Sequence, residues 1–149
     1  VLDVINKKVP VNIELKGDGT AQPVAALIRE YIDEHGWKAE QFRVLSFNHI
    51  ELKRFIARMP NILAGASYEQ IPEDNFRSAR KMGAALTVLD AEFVGPKVVE
   101  DAHANGLGVY VYTVNSRSEA RRLRKLRVDG IFSDYPDKVI PRQTTATAA

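Results

Sequence analysis

The sequence predicts an α/β fold: an incomplete (β/α)8 barrel with about six of its eight parallel strands present. Three observations carry this reading. Strand-like and helix-like segments alternate along the chain with little between them, which means βα crossover units and a parallel sheet. Several strands are apolar almost throughout, as expected where both faces of a sheet are covered. Polar residues (Glu14, Lys16, Ser46, Asn115 and Asp134) fall at the C-terminal ends of strands, where barrel enzymes assemble their sites. Six units also suit an open doubly wound sheet. However, Gly17-Asp18-Gly19 does not extend to the GxGxxG turn that usually follows the first strand of a nucleotide-binding sheet.

Each element has its own signal. Val1–Asn6 reads as the end of an amphipathic helix. Val11–Lys16 is the first strand, closed by the Gly17-Asp18-Gly19 loop. Val24, Leu27, Ile28, Tyr31 and Ile32 fall at helical spacing between Gln22 and His35, with Pro23 in the first turn and Gly36 at the C-terminal cap. Arg43–Phe47 is the second strand. Asn48 and Glu51 make a capping box for a helix that Pro60 ends. Ile62–Ala66 is a weaker third strand. Pro72 opens a helix through Phe76, Ala79 and Met82 that Gly83 closes. Leu86–Leu89 is the fourth strand, followed by a helix carrying Val98, Val99, Ala102 and His103. Gly108–Val114 is the fifth strand, clearest by its β-branched and aromatic content. Ser116 and Glu119 make a second capping box, and Asp129–Asp134 is a short sixth strand. The strand starts recur with a structural period of about 24 residues and no repeat of sequence.

Composition narrows the function classes. The 149 residues suit one domain, and 45% hydrophobic content supports a real core, which excludes wholesale disorder. No window approaches the eighteen or so consecutive apolar residues of a membrane-spanning helix. The absence of cysteine excludes a disulfide scaffold, a thiolate metal site and a cysteine nucleophile, and it fits a reducing compartment such as the cytoplasm. A net charge of +2 does not by itself imply a polyanion partner. Residues 141–149, small and polar, read as a disordered tail.

Glu14 and Lys16 lie two apart on one strand and so point to the same face, Ile13 and Leu15 to the other. Opposite charges on an inner face near a strand end must be paired, wet or metal-bound. A carboxylate suits a hard cation such as Mg²⁺ or Ca²⁺, and an ammonium suits phosphate. An ion pair on a solvated edge accounts for the same pattern, and one glutamate does not hold a metal alone.

At these residues the chain resembles the glycerophosphodiester phosphodiesterases. Val11-Asn12-Ile13-Glu14-Leu15-Lys16 is similar to the family's "NIElK" strand, and Leu45-Ser46-Phe47 to its "sSF" strand end. Tyr112-Thr113-Val114-Asn115 resembles its "WTVN", with Tyr for Trp. Asp129–Pro136 resembles its closing "DGIiTDyP". The four motifs occur in order across nearly the whole chain. The resemblance implies a TIM-type barrel, with residues 1–140 as the C-terminal part of the family's domain. It also implies metal-assisted hydrolysis of a glycerophosphodiester substrate to glycerol 3-phosphate and an alcohol, in lipid and glycerol metabolism. It makes Glu14 a metal-ligand carboxylate, Lys16 the lysine near the substrate phosphate, and Tyr112 the aromatic lining the glycerol side. Ser46, Phe47 and Asn115 become further substrate-side residues.

The family's His-Arg-Gly, Glu-x-Asp and His-Asp motifs do not occur here, so the resemblance places the catalytic histidine pair and two metal carboxylates upstream of Val1. The expectation is therefore a fragment without turnover of its own. Its open strand edges would make it depend on the missing barrel segment or associate with itself. Two rivals stand beside this reading. One is a non-catalytic barrel relative that binds a phosphate ligand through Lys16. The other is a nucleic-acid binder using the basic helix Ser116–Arg127, which carries +5 and leaves −3 on the rest of the chain. Ala120, Leu123 and Leu126 form an apolar stripe on that helix, which fits an outer barrel helix whose cations face solvent, and no aromatics interleave with the charges.

Overall fold

The structure, a computed structural model, describes residues 1–140; the tail expected over 141–149 lies outside the described residues. A short helix α1 (Leu2–Ile5) ends at Asn6, whose φ of 45° is left-handed. Six βα steps follow. They are β1 (Val11–Glu14), α2 (Ala21–His35), β2 (Phe42–Ser46), α3 (His49–Arg58), β3 (Leu63–Tyr68), α4 (Arg77–Met82), β4 (Leu86–Asp90), α5 (Pro96–Ala104), β5 (Gly108–Tyr112), α6 (Arg117–Lys125), β6 (Gly130–Ile131) and α7 (Pro136–Val139).

All five strand pairings are parallel, and the spatial order is β1-β2-β3-β4-β5-β6. That order decides between the two folds the alternation allowed. A doubly wound sheet reverses direction at a switch point and covers both faces with helices. Here every right-handed crossover steps the same way, so all helices fall on one face and the sheet curls around the other. The chain is an open barrel wall, and β1 and β6 each keep one unpaired edge among the described residues.

Register sorts the side chains into two cores. Val44, Ala64, Ala66, Val109 and Val111 point outward and bury against Ile28, Leu52, Phe55 and Leu123 of the helices. Leu45, Leu86 and Val88 point inward, joined by Leu63, Tyr110, Tyr112 and Phe132. The inner face is tight at Gly65, where a Cβ would come within 2.6 Å of Leu45 Cδ2 and 3.2 Å of Leu86 Cβ.

Three local expectations change. The helix expected to open at Pro72 begins at Arg77, because the chain turns through left-handed Asn75 and Phe76 (φ 50° and 68°) to drive the Phe76 ring fully into the core. Asp74 then accepts the Ser78 amide at 2.7 Å. The sixth strand is shorter than expected, partly because the Asp129 carboxylate takes the Val109 amide at 2.7 Å. Both capping boxes form by half: Asn48 and Ser116 accept the amides of Glu51 and Glu119, while the two glutamate carboxylates bond elsewhere. Helices α4, α5 and α6 close alike, with Schellman bonds around Gly83, Gly106 and Arg127.

Candidate functional site

At the C-terminal ends of the strands an open cavity of about 450 Å³ faces the barrel interior. Glu14 and Lys16 of the β1 end, Phe47 after β2, Tyr112 of β5, and Phe132 and Asp134 after β6 line it, with Leu45 and Val88 at its floor. Lys16 Nζ lies 3.6 Å from Glu14 Oε2, with the lysine 79% and the glutamate 38% exposed. A pair this wet holds neither partner firmly, so the ammonium is free to meet an arriving anion. The Tyr112 ring meets Phe47 edge-on at 5.9 Å and its hydroxyl donates to the Tyr68 carbonyl at 3.1 Å. Burial pushes the Tyr112 phenol above its ordinary range, helped by the negative charges of Asp90, Glu69 and Glu14. The mouth is thus acidic, apart from Lys16.

The structure brings Glu14, Lys16, Phe47 and Tyr112 to this one cavity. Ser46 and Asn115 do not line it. Ser46 is fully buried; its hydroxyl donates to the Leu15 carbonyl at 2.7 Å and accepts the Asn48 amide at 3.0 Å. Asn115 accepts from the Asp134 amide and the Ser133 hydroxyl and donates to Asp134 Oδ2 at 3.0 Å, which fixes the loop after β6. Asn12 also lines the cavity, two residues before Glu14 and on the same face by strand alternation, a signal present in the sequence. Ser67 and Thr113 line it without any such signal.

The loop that carries Lys16 is held from outside the cavity. Ser46 grips Leu15, Asn48 Nδ2 donates to Asp18 Oδ1 at 2.9 Å, and buried Glu51 accepts the Ala21 amide at 2.9 Å. That amide first, then the Arg54 guanidinium, hold the Glu51 carboxyl below the usual range against the opposing effect of burial. Three side chains of the β2–α3 turn therefore clamp the β1–α2 loop.

No histidine stands at the cavity. His49 meets the Ser67 carbonyl at 3.0 Å, His103 meets Asp129 at 2.9 Å, and His35 closes α2 beside Tyr31. Among the described residues no three His, Asp or Glu side chains are grouped to hold a metal. Hard cations take six or more oxygen ligands, so Glu14 alone does not make a metal site. Among the described residues no helix is long and apolar enough to cross a membrane.

The model of the glycerophosphoryl diester phosphodiesterase family matches residues 2–138. The glycerophosphodiester phosphodiesterase of Bacillus altitudinis is 32% identical over 134 residues, covering 87% of this chain and 54% of that protein. That of Caldanaerobacter subterraneus is 28% identical, with 87% and 54% covered. A solved Oleispira antarctica phosphodiesterase, in complex with the product sn-glycerol-3-phosphate, is 29% identical with a TM-score of 0.76, and the match covers 87% of this chain and 53% of that one. The chain spans about half the length of these relatives. The match over almost all of the described residues, with the half-barrel topology, means that the chain belongs to the glycerophosphoryl diester phosphodiesterase family.

Proposed function

We propose that this chain forms the β1-to-β6 wall of a site that hydrolyses glycerophosphodiesters to glycerol 3-phosphate and an alcohol. The observation that supports it most directly is the convergence of Glu14, Lys16, Phe47 and Tyr112 on one cavity at the strand ends. In this reading the exposed Lys16 ammonium meets the phosphodiester as a point charge. Phe47 and Tyr112 present an aromatic wall to the glycerol carbons. Ser46 and Asn115 act as positioning residues through the loops they hold, and Glu14 gives one carboxylate to a Mg²⁺ or Ca²⁺ ion whose other ligands come from outside this wall. Proton transfer falls to groups outside this wall as well, since His35, His49 and His103 are all engaged elsewhere. The 149-residue chain alone is therefore without turnover, and a segment that closes the barrel restores it.

The test is release of glycerol 3-phosphate from glycerophosphocholine by the purified chain, alone and mixed with the N-terminal half of a family relative. The expected result is no release alone and release in the mixture, reduced at least tenfold by Lys16→Ala or Glu14→Ala. Release by the chain alone would defeat the claim of inactivity. Restored release insensitive to both substitutions would defeat the assignment of the site. Phosphate-ligand binding with no release in any mixture would favour the non-catalytic module.

A further inference from the structure

Helix α6 separates its cations into two sets. Arg122 turns inward, donating to the Val94 and Ala91 carbonyls at 2.6 and 2.9 Å and pairing with Glu119 at 2.7 Å. That is the only acidic residue on the helix, and it is spent there. Arg117, Arg121, Arg124 and Lys125 all face outward and exposed, at i, i+4, i+7 and i+8. They make one stripe about 12 Å long. Among the described residues none of the four pairs with a carboxylate; Arg117 and Arg121 donate to the Lys138 and Arg117 carbonyls. Like charges at this spacing weaken a helix. A solvated outer face needs polarity, which alternating signs would supply without that cost.

Apolar surface adjoins the stripe. The Arg117–Lys138 bond holds α7 against the start of α6. Tyr135 and Ile140, at the two ends of α7, are 47% and 60% exposed, and Lys138 stands 3.9 Å over the Tyr135 ring. Arg124 and Ile140 meet at one groove between α6 and α7, beside the β6 edge where a barrel-closing segment would pack. Cations beside exposed aromatic and aliphatic side chains are the pattern of interfacial lipid binding. A nucleic acid would use the stripe but offers nothing in which Tyr135 and Ile140 could be buried.

We propose that the outer face of α6, with Tyr135 and Ile140 beside it, docks on an anionic lipid surface. This does not rest on the proposed catalytic function, and its test reads no activity. The protein is sedimented with vesicles of phosphatidylcholine and with vesicles of equimolar phosphatidylcholine and phosphatidylglycerol, at low and high salt. Each cation near such a surface multiplies partitioning about fivefold. The expected result is partitioning at least tenfold stronger on the anionic vesicles, falling steeply with salt. The double variant R121E/R124E loses about 25-fold or more of it. Tyr135→Ser lowers vesicle binding severalfold and leaves any binding to duplex DNA unchanged. Melting followed by circular dichroism confirms that the variants are folded. Equal partitioning on both vesicle types would overturn the proposal, as would indifference to R121E/R124E. So would a Tyr135→Ser protein that partitions as the wild type does, since the apolar side chains that separate a lipid surface from a nucleic acid would then carry nothing.

Discussion

Arg127 occupies a backbone position that the two sister helices give to glycine. At the end of α5 the Gly106 amide bonds His103 O at 2.8 Å and the Leu107 amide bonds Ala102 O at 3.0 Å. At the end of α6 the Arg127 amide bonds Arg124 O at 3.0 Å and the Val128 amide bonds Leu123 O at 3.3 Å. The hydrogen bonds match, and φ is 71° at Gly106 and 63° at Arg127. An L residue in this region costs about 1–2 kcal/mol. Glycine returns about 0.5–1 kcal/mol of that through the freedom it adds to the unfolded chain. The Arg127 side chain makes no hydrogen bond or ion pair among the described residues, and losing a cation at a helix C-terminus costs about 0.3 kcal/mol or more. Arg127→Gly should therefore stabilise the protein by about 0.5 kcal/mol, raising Tm by roughly 1–2 °C. Arg127→Ala, which keeps the strain and loses the charge, should not stabilise it. Gly106→Ala has open space, its nearest neighbour being Arg80 Nε at 3.9 Å, so it should lose about 1 kcal/mol from backbone strain alone. Urea midpoints for the three variants decide the matter. An Arg127→Gly protein less stable than Arg127→Ala would refute the reasoning.

Other expectations concern buried groups. The buried Thr87 hydroxyl has no partner among the described residues, so Thr87→Val should stabilise by about 1 kcal/mol, visible as a rise in Tm. Gly65→Val would drive a branched side chain against Leu45 and Leu86, and a loss of about 1–3 kcal/mol is expected in urea melts. Glu51 has its carboxyl held down in the folded state, so its contribution is complete above the ordinary glutamate value of about 4.3 and fades as pH falls through the folded value. Wild type should be more stable than Glu51→Gln at neutral pH, and the gap should narrow below pH 4 or so; a constant gap would show that the charge is not what matters.

Alternation of apolar strands and helices made the layers legible, because the two periodicities differ and both are local. Strand order is not local. Six parallel strands read the same in a barrel and in an open sheet, and what pointed to the barrel was the polar ends of the strands, the missing GxGxxG turn and the family resemblance. The Glu14–Lys16 pair was legible through strand parity, and Asn12 follows from the same parity. Glu51 shows the limit. Its spacing from Asn48 suits a capping box, but its carboxylate serves a helix thirty residues earlier, a partner that only the tertiary fold supplies. Ser46 and Asn115 look like site residues because they are polar at strand ends. Yet backbone amides and carbonyls there also need partners, and both side chains are taken up by them. Phe76 broke a good helical pattern because burying its ring outweighed continuing the helix.

The clamp from Ser46, Asn48 and Glu51 onto Leu15, Asp18 and Ala21 has a consequence for engineering. Barrel loops are commonly treated as independent inserts on a fixed scaffold. Here the first loop takes its shape from the second unit, so grafting the Lys16 loop alone into another barrel would leave it without three of its anchors. The smallest transplantable piece runs from β1 through α3, and a crossover placed between β1 and α3 should fail where one placed after Arg58 succeeds.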